Sequence, residues 1–365
     1  MQLKNFSVNT FSKTSSSLNS LSPYIGRLRL ECAQFLIKEY AQEGKPIFDP
    51  FCGSGTVLLQ GWSNGFDVYG NDLNPYAVLL AKGKTNPYQT INQAQEQVDY
   101  YSHLVNTRCK KIDLDNIPEW VKAFYHPSTL KEIIAWTYYL KRFQEWFLLS
   151  CLMGILHHQR PSFLSYPASH GAPYLRTTKY PREEFPEMYE YRNVYEKLSQ
   201  KINRVYKNFP TLDFARVREV HNKDSSRMHL SDIPSGTIIT SPPYMRSLTY
   251  ARDNRLRLWF LGVRDCDALD KVVSPCATDF IAMMSRCIHK WANYQKKNDK
   301  CVIVIGDISI YVAQSRVSLA QYIEQESKNC YRLVDAYQDP IPESHKQVKG
   351  NTRIKREIIV VLERK

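Results

Sequence analysis

The eight residues Asp49-Pro50-Phe51-Cys52-Gly53-Ser54-Gly55-Thr56 constrain this chain more than any other stretch. The apolar pair Ile47-Phe48 leads into them and Thr56-Val57-Leu58-Leu59 follows with helix-forming character, so the glycines sit on a strand-to-helix turn. Without side chains at Gly53 and Gly55 a ligand can touch the main chain, and the N–H groups opening the next helix favour an anionic group there. An ordinary turn shares these features, because the spacing falls short of the full dinucleotide fingerprint.

The chain just downstream narrows the choice. Phe66-Asp67-Val68-Tyr69-Gly70-Asn71-Asp72-Leu73-Asn74-Pro75 reads as a second strand ending in an acid, about twenty residues after the glycines, where an acid suits ribose hydroxyls. Asp72 also suits an N-cap ahead of Tyr76-Ala77-Val78-Leu79-Leu80. Far along the chain, Gly236-Thr237-Ile238-Ile239-Thr240 is a buried-strand run that delivers Ser241-Pro242-Pro243-Tyr244 to the carboxyl end of a sheet, where open α/β folds bind their ligands. The two prolines stiffen that turn and remove N–H donors, which leaves carbonyl oxygens to face a substrate amine.

With both stretches in view, the sequence resembles the S-adenosylmethionine-dependent DNA amino-methyltransferases. DPFCGSGT looks like the family's cofactor motif and TSPPY like its catalytic motif, in the serine form associated with cytosine N4 rather than adenine N6. The resemblance covers roughly residues 20–85 and 216–365. It implies an α/β, Rossmann-like methyltransferase sheet, mostly parallel with a C-terminal antiparallel hairpin, plus an inserted, mainly helical subdomain. It implies S-adenosylmethionine as cofactor, held by Tyr24, Asp49, Phe51, Gly53, Gly55, Thr56, Asp72, Leu73, Asp224 and Ser225, with no metal. Ser241, Pro242, Pro243 and Tyr244 become the catalytic set, acting on a base flipped out of double-stranded DNA.

The motif order, cofactor before catalytic, resembles many adenine enzymes, whereas the serine argues for cytosine. Adenine N6 therefore stays open, as do an RNA amino-methyltransferase and a DNA-binding relative without activity. A cognate restriction endonuclease acting separately is an expected partner of such an enzyme. Monomer and dimer are both open.

The formal charge of +13 favours a polyanionic partner. Nine scattered cysteines with no C-x-x-C pair point neither to a disulfide framework nor to zinc, and fit a reducing cytoplasm. Cys276, after Pro275, is read as structural. The polar start of the chain argues against a signal peptide, and no apolar run is long enough to span a bilayer, so no membrane association is expected.

Residues 1–19 read as a flexible N-terminal arm. A helical pattern follows, with Leu30, Ala33, Phe35, Leu36 and Ile37 as its apolar face, preceded by Tyr24 and Gly26 as weaker cofactor candidates. Residues 86–215 break the strand–helix alternation and form the expected helical insertion, a candidate target-recognition region. Its aromatic stripe, Trp136, Tyr139, Phe143, Trp146 and Phe147, reads as core.

Residues 160–182 read as a long ordered loop whose interleaved Tyr166, Tyr174, Arg176, Lys179 and Tyr180 favour contact with nucleic acid. A basic helix over 191–209 carries Arg192, Lys197, Lys201, Arg204 and Lys207, placed to track phosphates or to face solvent. Arg246, Arg252 and Arg255 are candidates for the DNA backbone or for salt bridges. A terminal hairpin over 331–337 and 357–362 is joined by a basic connection with His345, Lys346, Lys349, Arg353, Lys355 and Arg356, suited to phosphate or to solvent.

Overall fold

The computed structural model describes residues 2–6, 16–169, 171–243, 245, 249–312, 314–341 and 356–365. Its strands are β1 (Lys4–Asn5), β2 (Ile47–Asp49), β3 (Val68–Asn71), β4 (Arg218–His221), β5 (Thr237–Thr240), β6 (Lys300–Gly306), β7 (Ser309–Val312), β8 (Ser315–Ser318), β9 (Tyr331–Pro340) and β10 (Arg356–Arg364). Its helices are α1 (Leu30–Tyr40), α2 (Thr56–Ser63), α3 (Pro75–Thr85), α4 (Ile91–Cys109), α5 (Glu119–Lys122), α6 (Pro127–Arg142), α7 (Trp146–Ile155), α8 (Val194–Tyr206), α9 (Arg255–Leu261), α10 (Cys266–Val273), α11 (Ala277–Tyr294) and α12 (Leu319–Ser327).

Eight strands form one sheet in the order β1-β9-β10-β6-β5-β2-β3-β4, while β7 and β8 pair separately. The run from β6 through β5, β2 and β3 to β4 is parallel, and β10 pairs antiparallel with both β6 and β9. This is the α/β sheet with a C-terminal antiparallel hairpin expected from the sequence. From β2 the chain moves outward to β3 and β4, then returns to the other side of β2 for β5 and β6. The carboxyl ends of β2 and β5 therefore flank a topological switch point, where outgoing connections diverge and leave a crevice.

Alternation along the strands builds two apolar layers. Val68, Ile239, Val302, Val304, Ile359 and Val361 face one side. Tyr69, Ile238, Cys301, Ile303, Ile358 and Val360 face the other, against α11 and α12. The first layer runs without a break into the helices of residues 86–215: α7 packs on α3, α6 on α9, and α4 on α6 and α8. That helical stretch is thus a second tier on the same core. Of its aromatic stripe, Trp136 and Phe147 are fully buried, whereas Phe143 is exposed and stacks on Tyr139.

Of residues 1–19, expected as a flexible arm, the described stretches 2–6 and 16–19 both dock on the body of the protein. Lys4 and Asn5 add a short parallel strand to β9, and Leu18 is buried in the core beside α8. A short polar stretch carries too few apolar residues to reveal such docking in its composition. The basic helix α8 is also partly committed, since Lys201 donates to the Ser20 carbonyl at 2.7 Å and Arg192, just before it, donates to the Pro161 carbonyl at 2.8 Å.

The segment after Leu18 reaches α7 at a single close approach. A Cβ at Gly154 would lie 1.9 Å from the Leu21 carbonyl oxygen, so only glycine lets the two backbones touch there. Gly154→Ala should destabilise the protein by about 1–3 kcal/mol in urea unfolding, as overpacking against backbone does.

Candidate active site

The crevice at the switch point opens into a cleft of about 820 Å³, counting its mouth. The turn after β2 forms its floor. Gly53 lies in the left-handed region at φ +49°, and its N–H donates to Asp72 Oδ2 at 2.8 Å. The other oxygen, Asp72 Oδ1, accepts from the Asn74 N–H at 2.8 Å. Asp72 is therefore a brace between two turns, and its remaining lone pairs are what a ligand hydroxyl could use. Burial pushes this carboxyl up to about 6, against the backbone N–H groups that favour its charge.

Gly55 serves packing rather than ligand approach. It does not line the cleft; its φ is +78°, and an added Cβ would lie 2.9 Å from the Ala81 Cα of α3. Asp49, the last residue of β2, is fully enclosed and accepts from the Thr240 hydroxyl at 2.6 Å and from the Phe51 N–H at 3.2 Å. Burial pushes it up to about 7, partly offset by those two bonds. The Phe51 N–H also donates to Thr240 Oγ1 at 3.2 Å. Thr240 ends β5, so the glycine turn and the Ser-Pro-Pro turn are bonded to each other.

Nine of the ten cofactor candidates line this cleft: Tyr24, Asp49, Phe51, Gly53, Thr56, Asp72, Leu73, Asp224 and Ser225. Two of them spend their side chains on the scaffold. The Ser225 hydroxyl donates to the Pro50 carbonyl at 2.5 Å and accepts from Asn71 Nδ2 at 2.8 Å. Asp224 accepts from both the N–H and the hydroxyl of Ser226, at 2.9 and 2.8 Å, and pairs with Arg227. Ser241 and Pro243 of the catalytic candidates line the same cleft, Pro242 is buried behind them, and Tyr244 lies outside the described residues.

Several lining residues had no motif to announce them. Arg27 and Leu28 come from the segment before α1, Tyr250 from the chain after the Ser-Pro-Pro turn, and Val272, Val273 and Met283 from α10 and α11. Tyr250 stacks on Tyr24 with ring centroids 6.4 Å apart. Lys84 of α3 lies beneath the floor and donates from Nζ to Ser54 Oγ at 3.1 Å; burial, with Arg27 nearby, lowers its ammonium to about 7.

None of the described nucleic-acid candidates lines the cleft. Tyr174 is 56% exposed, and Arg255 of α9 sits 4.7 Å from its ring while donating to the Pro173 carbonyl at 2.5 Å. Arg176 and Lys179 flank the Tyr180 ring at 5.1 and 5.4 Å. Arg252 pairs with Asp267 at 2.9 Å, the salt-bridge alternative, with both side chains exposed. Arg246, Lys346 and Arg353 lie outside the described residues, as do His345, Lys349 and Lys355. Arg356 is described and pairs with Asp307 at 2.6 Å. Cys276 heads α11, its thiol donating to the Asp279 carboxylate at 3.0 Å. No helix among the described residues is long and apolar enough to cross a membrane.

The fold defines an α/β protein with an open cleft at the switch point of its sheet. Comparison with known proteins finds similarity to DNA methyltransferases over part of the chain. The family model "D12 class N6 adenine-specific DNA methyltransferase" matches residues 33–138. The type II methyltransferase M.MvaI of Kocuria varians is 26% identical over 283 residues, 67% of this chain and 58% of that protein. M.MjaII of Methanocaldococcus jannaschii, also a type II methyltransferase, is 32% identical over 71 residues, covering 20% of this chain and 13% of that one. The chain thus matches little more than half the length of the first relative and a small part of the second. Among solved structures, TrmN from Thermus thermophilus aligns at 10% identity and TM-score 0.36, over 93% of this chain and 50% of its own. The rRNA methyltransferase aviRa from Streptomyces viridochromogenes aligns at 9% and 0.35, over 96% and 94%.

The Thr240 bond carries a pH signature. Because the folded Asp49 carboxyl titrates near 7 against about 3.9 for an ordinary aspartate, the folded state holds a proton the unfolded chain has lost, and stability falls as pH rises between those values. Thr240→Val should cost about 1.5–3 kcal/mol at pH 8, where the lost bond is charge-assisted, and less at pH 5, where Asp49 is neutral; urea titrations at the two pH values measure the difference.

Proposed function

We propose that this protein is an S-adenosylmethionine-dependent methyltransferase acting on an exocyclic amine of a DNA base. The observation that carries the reading is the buried hydrogen bond between Thr240 and Asp49, which joins the glycine turn and the Ser-Pro-Pro turn beside one cleft. The lining fits such a cofactor. Asp72 has lone pairs for ribose hydroxyls, Phe51, Leu73 and Met283 offer apolar walls for a flat ring, and Arg27 brings a cation for an acidic tail.

When bound, S-adenosylmethionine supplies a methyl group on a sulfonium. The target amine is a poor nucleophile, because its lone pair is delocalised into the base ring. Ser241 Oγ and the Pro242 carbonyl accept its two N–H bonds in this reading, drawing the nitrogen toward tetrahedral geometry and orienting its lone pair. Ser241 accepts a hydrogen bond and forms no covalent link. Tyr244 is assigned to stack on the base, which leaves the duplex because pairing otherwise occupies its amine; unstacking costs a few kcal/mol that contacts in the cleft offset.

Cytosine N4 is the first reading for the base, on the serine of TSPPY. Adenine N6 is the second, favoured by the matched family model, whose residues 33–138 contain the cofactor turn but not Ser241. The names of the relatives, type II methyltransferases, support a role in DNA modification; a separate endonuclease as partner is part of the proposal. We assign residues 86–215 to target recognition, with Tyr174, Arg176, Lys179 and Tyr180 on the DNA-facing surface. The interleaved rings and cations of that loop support it.

The deciding experiment offers the protein labelled S-adenosylmethionine with duplex DNA, tRNA or rRNA, then identifies the modified nucleoside by mass spectrometry. N4-methylcytosine in DNA is expected; N6-methyladenine moves the assignment to the second reading, label in RNA alone overturns the DNA reading, and bound cofactor without transfer points to a non-catalytic DNA-binding relative. Ser241→Ala should lower turnover about a hundredfold with cofactor affinity nearly unchanged, whereas Gly53→Val should abolish cofactor binding, since its φ of +49° is a backbone conformation that a β-branched residue rarely adopts and the turn must rearrange. The double variant Arg176→Ala with Lys179→Ala should weaken DNA binding across all sequences and reduce the salt slope by about two, with cofactor affinity unchanged, as read by titrations at several ionic strengths.

A further inference from the structure

Lys84 is a buried cation that the reading above leaves without a role. It is 1% exposed, its Nζ donates to Ser54 Oγ at 3.1 Å, and no carboxylate among the described residues forms an ion pair with it. An ammonium enclosed without a counter-charge is costly, and a lysine with nothing to do there would be replaced by an apolar side chain without loss. Its one partner is informative. Ser54 is only 2% exposed yet belongs to the cleft wall, together with Arg27. Because the ammonium takes the Ser54 oxygen as its acceptor, the hydroxyl hydrogen is left to donate elsewhere. Arg27 and Ser54 line the same cleft, so a cation and a hydroxyl donor are both available to an anionic group there.

We propose that Lys84 is a positioning residue whose buried ammonium orients the Ser54 hydroxyl to donate to the carboxylate of a nucleoside ligand's amino-acid tail. The proposal rests on the cofactor reading given above. A carboxylate bound at Ser54 supplies the counter-charge that holds Lys84 protonated against the burial that lowers its ammonium to about 7, and Ser54 transmits the effect without the lysine itself touching the ligand. Lys84→Met keeps the length of the side chain and removes the charge. Ser54→Ala keeps the charge and removes the relay.

The test is calorimetric titration of the full chain with two probes: S-adenosylhomocysteine, and its decarboxylated form, which retains the nucleoside, the sulfur and the amine. Lys84→Met should lose about tenfold or more in affinity for S-adenosylhomocysteine while binding the decarboxylated probe within about twofold of the parent protein. Ser54→Ala should show the same selective loss, and the double variant should lose no more than either single one. An equal loss for both probes, or no loss, assigns Lys84 to packing and overturns the proposal. If Lys84→Met does not fold, Ser54→Ala decides alone, since an unchanged ratio of the two affinities rejects the relay. Failure of the parent protein to bind either probe removes the cofactor reading itself, and this inference with it.

Discussion

The hydrogen bond from the Thr240 hydroxyl to Asp49 holds this molecule's candidate chemistry together. It links residues 191 positions apart, at the one place in the sheet where neighbouring strands send their connections in opposite directions. Both partners are buried, so the bond forms in surroundings where an unsatisfied carboxylate or hydroxyl is costly. That cost keeps the Asp49 carboxyl and the Phe51 amide gathered on one hydroxyl, and so sets the separation between the floor of the cleft and the Ser-Pro-Pro turn.

Around that bond, side chains that look like ligand contacts in the sequence hold the loops instead. Asn71, which was no candidate, does the same work beside them: its amide donates to the Pro50 and Lys223 carbonyls and accepts from the Lys223 N–H, tying the loops after β2 and β4 across β3. Ser225 reinforces the same joint. These side-chain bonds tie the loops around the cleft to one another, a mount of the kind that positioning a reactive group requires. The helical tier is coupled to this mount through α9. Arg255 holds the Pro173 carbonyl and Arg257 holds the Met153 carbonyl at 3.2 Å, so the aromatic, basic loop is fastened to the helix that follows the Ser-Pro-Pro turn.

Much of this was legible in the chain. The parallel strands announced themselves as short β-branched runs, such as Ile238-Ile239 and Val302-Ile303-Val304-Ile305, because strands covered on both faces need apolar residues at every position. The glycine turn and the acid of Asp72 were legible because left-handed backbone and buried carboxylates restrict residue choice. Gly55 was read for the wrong reason: its freedom is spent on the approach of α3, which a pattern of glycines cannot distinguish from the approach of a ligand. The docking of Leu18 was hidden, since one apolar residue in a polar stretch has no period.

The sequence by itself determined most of the sheet's strands, where glycine permits a tight turn, and which two far-apart motifs resemble those of amino-methyltransferases. Only the tertiary structure decided how those motifs meet and which of their side chains are free. That division has a physical cause. Strand and turn propensities are properties of a few consecutive residues, whereas the partner of Thr240, the commitment of Ser225 to Pro50, and the arrival of Tyr250, Val273 and Met283 at the cleft depend on groups from distant parts of the chain competing for the same hydrogen bonds and the same space.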